Sequence, residues 1–256
     1  MKFKKIVLIG ITPEGLGAGE WKRLVGLSNS KPELLPKGTT SIPKEMTDAD
    51  CLLVNMGGEV NPQMIDALPS LRYIGILATG YGKINSVYAA DRGVAVCNVA
   101  QYSTEDVAQL TFALIHGQVS VITRKEVDRV GTRIAGKNLG VVGLGEIGSA
   151  VARIARGYNA KVSYWSFNRK KSKENDTLIY QGDIKKLLAG SDFVSINIAH
   201  KVDSDKKYSA GTDKMFNADL INAIKSGAVV VNTAPMEIID LDALVARLKK
   251  NDITFI

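Results

Sequence analysis

The run Leu139-Gly140-Val141-Val142-Gly143-Leu144-Gly145-Glu146-Ile147-Gly148, continued by Ser149-Ala150-Val151-Ala152-Arg153-Ile154-Ala155, sets an apolar strand, a glycine turn and a helix in immediate succession. Few folds accept that order, and a dinucleotide site requires it. Gly143 permits the sharp turn off the strand, Gly145 keeps a Cβ out of the path of a pyrophosphate, and Gly148 lets the helix lie close to the sheet. The free N–H groups across Gly143, Leu144, Gly145, Glu146, Ile147 and Gly148, with the positive end of the helix dipole, then face the phosphates. Gly-x-Gly-x-x-Gly alone is also a common structural turn. Here Ala160-Lys161-Val162-Ser163-Tyr164-Trp165 reads as the next strand of a βαβ unit, the context that makes the turn a nucleotide site.

At 256 residues the chain is long enough for two domains, each with its own core. No apolar run approaches the roughly 20 residues that span a bilayer, and Met1-Lys2-Phe3-Lys4-Lys5 leads straight into a strand, so a cytoplasmic protein without membrane association is expected. Cys51 and Cys97 both lie in apolar, strand-like runs and are expected to be buried free thiols, neither a disulfide nor a metal pair. The net charge of +7 raises the question of a polyanion partner. Most of the excess falls at surface-type positions, with one dense run at Arg169-Lys170-Lys171-Ser172-Lys173, and no zinc spacing, helix-turn-helix signature or aromatic RNA-binding motif accompanies it. No nucleic-acid partner and no metal site are expected.

Before the glycine turn, short apolar runs alternate with helical patterns. Strands are expected at Lys5 to Gly10, Asp50 to Asn55, Arg72 to Leu77 and Val94 to Asn98, with helices at Gly19 to Val25, after Asn61-Pro62, and at Ser86 to Arg92. A longer helix from Thr104 to about His116, capped by Ser103 or Thr104, has Val107, Leu110, Ala113 and Leu114 as its expected apolar face and leads from one domain to the next. Past the glycine turn, strands are expected at Asp192 to Ile198 and Ser226 to Asn232, with helices around Ala218 to Lys225 and Leu241 to Lys250. This alternation predicts an α/β protein of two doubly wound parallel sheets with a cleft between them: residues 1–100 as a flavodoxin-like substrate-side domain and 101–256 as a Rossmann dinucleotide domain. Asn251 to Ile256 looks like the opening of a further buried strand, so the chain is expected to continue beyond it.

Several stretches, in order along nearly the whole chain, resemble the D-isomer-specific 2-hydroxyacid dehydrogenases, the formate and glycerate dehydrogenase group. They are the glycine turn, Leu71 to Tyr81, Val96-Cys97-Asn98-Val99 with Tyr102-Ser103-Thr104 and Val107-Ala108, Ser191 to Asn197, and Gly227 to Ala234. The resemblance implies hydride transfer between NAD or NADP and a small 2-keto or 2-hydroxy acid. It makes Ala78, Thr79, Gly80 and Tyr81 the loop that holds the substrate carboxylate, which suits small residues after a parallel strand. It puts Thr104 near the nicotinamide or phosphate, although Thr104 serves equally as a helix cap. Asn197, Thr233 and Ala234, at strand ends, would border the nicotinamide.

Cofactor choice is read at the end of the second strand of the βαβ unit. An NAD-preferring enzyme commonly carries Asp there to accept from the ribose hydroxyls, whereas this chain has Ser166, followed by Phe167, Asn168, Arg169 and Lys170. An added 2′-phosphate would be repelled by Asp and attracted by Arg169 and Lys170, which favours NADP.

The family pattern breaks at the chemistry. The Arg that polarises the substrate carbonyl normally follows Asn-Thr-Ala, and here that position is Pro235, with Met236-Glu237 in place of a glycine pair. A proline side chain neither donates a hydrogen bond nor carries charge. The family's catalytic Glu and His would fall beyond Ile256. His200, just past its strand, is the substitute acid to consider, with Lys83 or Lys201 as sources of positive charge, while His116 suits a structural role. The stretch from Phe112 to Gly136, which in relatives contributes to a homodimer contact, is shorter than usual. A non-catalytic dinucleotide-binding sensor on the same fold is the alternative to an enzyme.

Overall fold

The computed structural model describes residues 2–81, 83–119, 133–200 and 211–256. They fall into two compact units, the first ending at Tyr102 and the second formed by Ser103–His200 and Thr212–Ile256.

The first unit runs β1 (Ile6–Ile9), α1 (Pro13–Leu16), α2 (Ala18–Gly26), β2 (Glu33–Leu35), β3 (Cys51–Asn55), α3 (Pro62–Asp66), β4 (Tyr73–Leu77), α4 (Ser86–Asp91) and β5 (Ala95–Asn98). Its strands pair in the parallel order β2-β1-β3-β4-β5, the doubly wound order of flavodoxin-like sheets. Central strands of such a sheet are covered on both faces, which is why β1 reads Ile-Val-Leu-Ile and is buried throughout. Asn61 caps α3 by accepting from Met64 N, with Pro62 at the first helical position, and Asn85 caps α4 by accepting from Tyr88 N. The pairing of the cysteines as buried thiols needs correction: Cys51 is buried and Cys97 is exposed, both free. The reason is that β5 is an edge strand, whose Ala95 and Cys97 share an uncovered face.

The second unit runs α5 (Thr104–Val119), β6 (Asn138–Val142), α6 (Glu146–Gly157), β7 (Lys161–Trp165), β8 (Leu178–Tyr180), α7 (Ile184–Gly190), β9 (Phe193–Ile196), α8 (Ala218–Ala223), β10 (Val229–Asn232), α9 (Leu241–Leu248) and β11 (Thr254–Phe255). Its parallel order β11-β10-β9-β6-β7-β8 is that of a Rossmann sheet. Strand order reverses between β6 and β9, so the ends of those two strands flank the position at which such sheets bind ligands. Buried Arg247 ties α9 to the chain on either side, bonding Asp252 Oδ2 at 2.9 Å and Ile224 O at 3.0 Å.

α5 is where expected and three residues longer, but its buried face differs from the expected one. Ala108, Thr111, Phe112 and Ile115 face inward, Leu110 and Ala113 are exposed, and Val107 and Leu114 are half-buried. The inward set follows i, i+3, i+4, i+7, and three of its members enter one core with Val151, Ala152 and Ala155 of α6. The first helical bond, Val107 N to Ser103 O, makes Ser103 the cap position. Among the described residues no helix is long and apolar enough to cross a membrane.

Candidate dinucleotide site

The site is assembled from the ends of β6, β7, β9 and β10. At the end of β6, Gly143 has φ +95°, a conformation that favours glycine, and its N–H donates to Trp165 O at 2.7 Å. A Cβ on Gly143 would come within 2.9 Å of Asn197 O, so the turn nests against the end of β9. A Cβ on Gly148 would collide with Gly143 O and lie 3.1 Å from Val141 Cγ1, which brings the first turn of α6 directly onto β6. A Cβ on Gly145 would meet nothing within 4 Å.

That last observation tests whether a dinucleotide fits. Gly145 is the N-cap of α6, no side chain caps it, and the space in front of its α-carbon is open. The first-turn amides of a twelve-residue helix are thus left to a ligand, and an anion is what they suit. Leu144 is 1% exposed and Ile147 packs on the core, so these two can offer only their backbone N–H groups. Ser149 Oγ donates to Gly145 O at 2.6 Å and accepts from Lys173 Nζ at 2.8 Å. Lys173 therefore carries its ammonium to the base of the glycine turn, a placement that sequence reasoning missed because a single 3-10 turn between strands carries no periodic signal.

At the end of β7, the segment Ser166 to Lys170 is shaped by a polar network. Buried Tyr164 donates its hydroxyl to Glu174 Oε1 and accepts from Lys170 N, each at 2.8 Å. Arg169 grips Glu174 through both prongs, Nε to Oε1 at 2.8 Å and Nη2 to Oε2 at 2.7 Å, and its guanidinium lies 5.0 Å from the centroid of the Tyr180 ring. The Arg169 hydrogen bond is the main cause that holds the Glu174 carboxyl down at about 2, from the ordinary 4.5, so the pair is ionised throughout the neutral range. Burial, then Glu174, pushes the Tyr164 phenol up, keeping it a donor. Of the two cations expected to read a 2′-phosphate, Arg169 is thus already engaged by a carboxylate, and Glu174 is the residue the sequence reading left out. Ser166 is half-buried and Asn168 exposed in the same segment.

The ends of β9 and β10 carry neutral polar groups. Asn197 Nδ2 donates to Ser195 Oγ at 3.0 Å, and Thr233 Oγ1 donates to Asn197 Oδ1 at 3.5 Å, which brings these two predicted residues together. Asn232 closes the following turn, its Oδ1 accepting from Ala234 N at 3.2 Å and its Nδ2 donating to Ala234 O at 3.0 Å. Pro235, Met236 and Glu237 then form an exposed single turn. His200 is paired, Nε2 to Asp213 Oδ1 at 2.5 Å, with its side chain only 8% exposed. Lys201 lies outside the described residues, as does most of the Phe112 to Gly136 segment to which the homodimer contact was assigned. His116 bonds the Tyr158 hydroxyl at 3.0 Å.

In the first unit, Ala78 to Tyr81 follow β4. The carbonyls of Ala78 and Thr79 are taken by Val99 N at 3.1 Å and Asn98 Nδ2 at 2.6 Å, which holds the loop's shape, while Gly80 has open space around it and Tyr81 is half exposed.

The family model of the D-isomer specific 2-hydroxyacid dehydrogenase, NAD binding domain, matches residues 104–256. The chain belongs to that family. A Staphylococcus aureus (strain MRSA252) protein, named among the 2-hydroxyacid dehydrogenases, is 30% identical over 223 residues, covering 82% of this chain and 68% of the relative. The fold is shared with a D-lactate dehydrogenase from Aquifex aeolicus complexed with NAD and lactic acid, at TM-score 0.82 and 22% identity over 98% of this chain and 76% of that one. It is shared also with an acyclic imino acid reductase in complex with NADPH and D-Arg, at TM-score 0.78 and 24% identity over 97% and 80%. The second unit is accordingly the nicotinamide-dinucleotide-binding domain of an oxidoreductase family that acts on 2-hydroxy acids.

Proposed function

We propose that the chain binds NADPH in preference to NADH and exchanges hydride with the α-carbon of a small carboxylic acid of the 2-oxo and 2-hydroxy acid type. The observation that carries the reading is the glycine turn: an uncapped helix start, open in front of Gly145, beside a β7 end that has Ser166 where an acid would bar a 2′-phosphate. The amides from Gly145 to Gly148 would hold the diphosphate, and Ser166, Asn168 and Lys170 the adenosine ribose and its phosphate. Lys170 is the principal cation in this reading, because drawing Arg169 to a phosphate means breaking its two bonds to Glu174. Asn197, Thr233 and Ala234 would border the nicotinamide ring, with Thr104 at the start of α5 as a further neighbour. In the first unit Ala78, Thr79, Gly80 and Tyr81 would hold the substrate carboxylate.

A bound nicotinamide supplies the hydride. The chain's part is to bind, orient and exclude water. His200 is the imidazole available near these strand ends, its ring held in place by the bond to Asp213. Titrating the purified chain with NADPH and NADH by calorimetry tests the cofactor reading. One charge-assisted contact to the 2′-phosphate is worth about 1.5–3 kcal/mol, so NADPH is expected to bind at least about tenfold more tightly. Tighter binding of NADH would refute the preference.

A further inference from the structure

Lys173 ends the single 3-10 turn Lys171–Lys173, and that turn is fixed on both sides. Before it, Lys170 N donates to the Tyr164 hydroxyl at 2.8 Å; after it, Glu174 is held by Tyr164 and by both prongs of Arg169. Lys173 N donates to Lys170 O at 2.8 Å, which closes the turn. The ion pair that withdraws Arg169 from a phosphate thus serves to aim the residue next to Glu174. From this turn the Lys173 side chain crosses to α6, where its ammonium meets Ser149 Oγ at 2.8 Å, and Ser149 Oγ in turn donates to Gly145 O at 2.6 Å. An ammonium has three donors, and Ser149 takes one of them.

Charge at the glycine turn shows what this placement can do. Glu146, exposed at the first position of α6, is an acid beside the very amides that suit an anion. It complements the helix dipole but opposes the approach of a diphosphate. A cation on the same turn of the helix offsets that repulsion, and one already fastened by a hydrogen bond loses little further freedom when a ligand arrives. Resting on the reading that a dinucleotide occupies the glycine turn, we propose that Lys173 is a cofactor-binding residue: its ammonium keeps the bond to Ser149 and gives a second donor to a diphosphate oxygen, with Ser149 as the residue that positions it. The basic run then divides by task. Arg169 braces the turn, Lys170 is left to the 2′-phosphate, and Lys173 serves the diphosphate common to NADH and NADPH.

Calorimetric titration of the full chain with NADPH and with NADH, for the parent, Lys173→Met, Ser149→Ala and the double variant, tests the assignment. Lys173 is exposed, so methionine removes the charge while the fold and Tm stay as in the parent. Lys173→Met is expected to weaken both cofactors by about tenfold, leaving the ratio of the two affinities unchanged. Ser149→Ala is expected to weaken both by a smaller factor, and to have no further effect once Lys173 is methionine. Unchanged affinity of Lys173→Met for both cofactors would overturn the assignment, as would a loss confined to NADPH, since the ammonium would then serve the 2′-phosphate. Losses from the two substitutions that simply add would overturn the positioning role of Ser149. A parent that prefers NADH leaves this test intact, because the diphosphate is common to both cofactors; a parent that binds neither overturns the dinucleotide reading along with it.

Discussion

Pro235→Arg is expected to raise kcat/KM for NADPH-dependent reduction of pyruvate or glyoxylate by about 10²–10³. The backbone at Pro235 has φ −56° and ψ 140°, a conformation any residue adopts, and the residue is exposed, so an arginine can be accommodated without repacking. The substitution forfeits only the rigidity that proline gives, about 0.4–1 kcal/mol of stability. What it adds is a fixed positive charge and a donor fork at the end of β10, next to a turn already held by Asn232. Pro235→Gln is the control, because it restores length and hydrogen bonding without charge. Gains of similar size from Gln and Arg would show that shape, not charge, limits the reaction, and no gain from Arg would place the deficit elsewhere in the site.

The glycine turn makes a second large prediction, in which two alanine substitutions three residues apart separate folding from binding. Gly148→Ala drives a methyl into Gly143 O and toward Val141, so α6 must lift from the sheet. Since α6 buries Ala150, Val151, Ala152 and Ala155, the disturbance reaches the core. Overpacking of this kind costs about 1–3 kcal/mol, or a fall in Tm of about 5 °C for a domain of this size, and NADPH binding should weaken with it. Gly145→Ala meets nothing in the protein and has φ −81°, so its Tm should match the parent. Its methyl nonetheless occupies the space in front of the helix start, and NADPH affinity should fall at least about tenfold. A Gly145→Ala protein that binds NADPH normally would remove the turn from the cofactor site.

The features legible in the sequence were those built from neighbours. Strand, turn and helix follow one another between Leu139 and Ala155, and the periodicities of β1, β3, β6 and β9 are strong because central parallel strands are apolar on both faces. The two strands left out, β2 and β8, are three residues each at sheet edges, too short to show a pattern. The α5 face was misplaced because Leu110 and Ala113 compete with Phe112 and Ile115 for the apolar stripe, and only the neighbouring α6 decides between them. Cys97 was misjudged because an edge strand and a central one read alike. Arg169 shows why charge counts mislead at a site: within a basic run it reads as an available cation, yet Glu174, five residues on, holds both its prongs. Such side-chain pairing depends on the path of an irregular loop, here set by the hydroxyl of Tyr164, and no spacing rule anticipates it.

In the proposed complex a nicotinamide dinucleotide sits on the Gly143 to Gly148 turn with its 2′-phosphate against the end of β7. A crystal structure of the chain with NADPH tests it most directly. The expected result is the diphosphate on the amides from Gly145 to Gly148 and the 2′-phosphate within hydrogen-bond reach of Lys170, with the Arg169 and Glu174 pair intact. Density for the diphosphate elsewhere, or a 2′-phosphate directed away from Ser166 to Lys170, would contradict it.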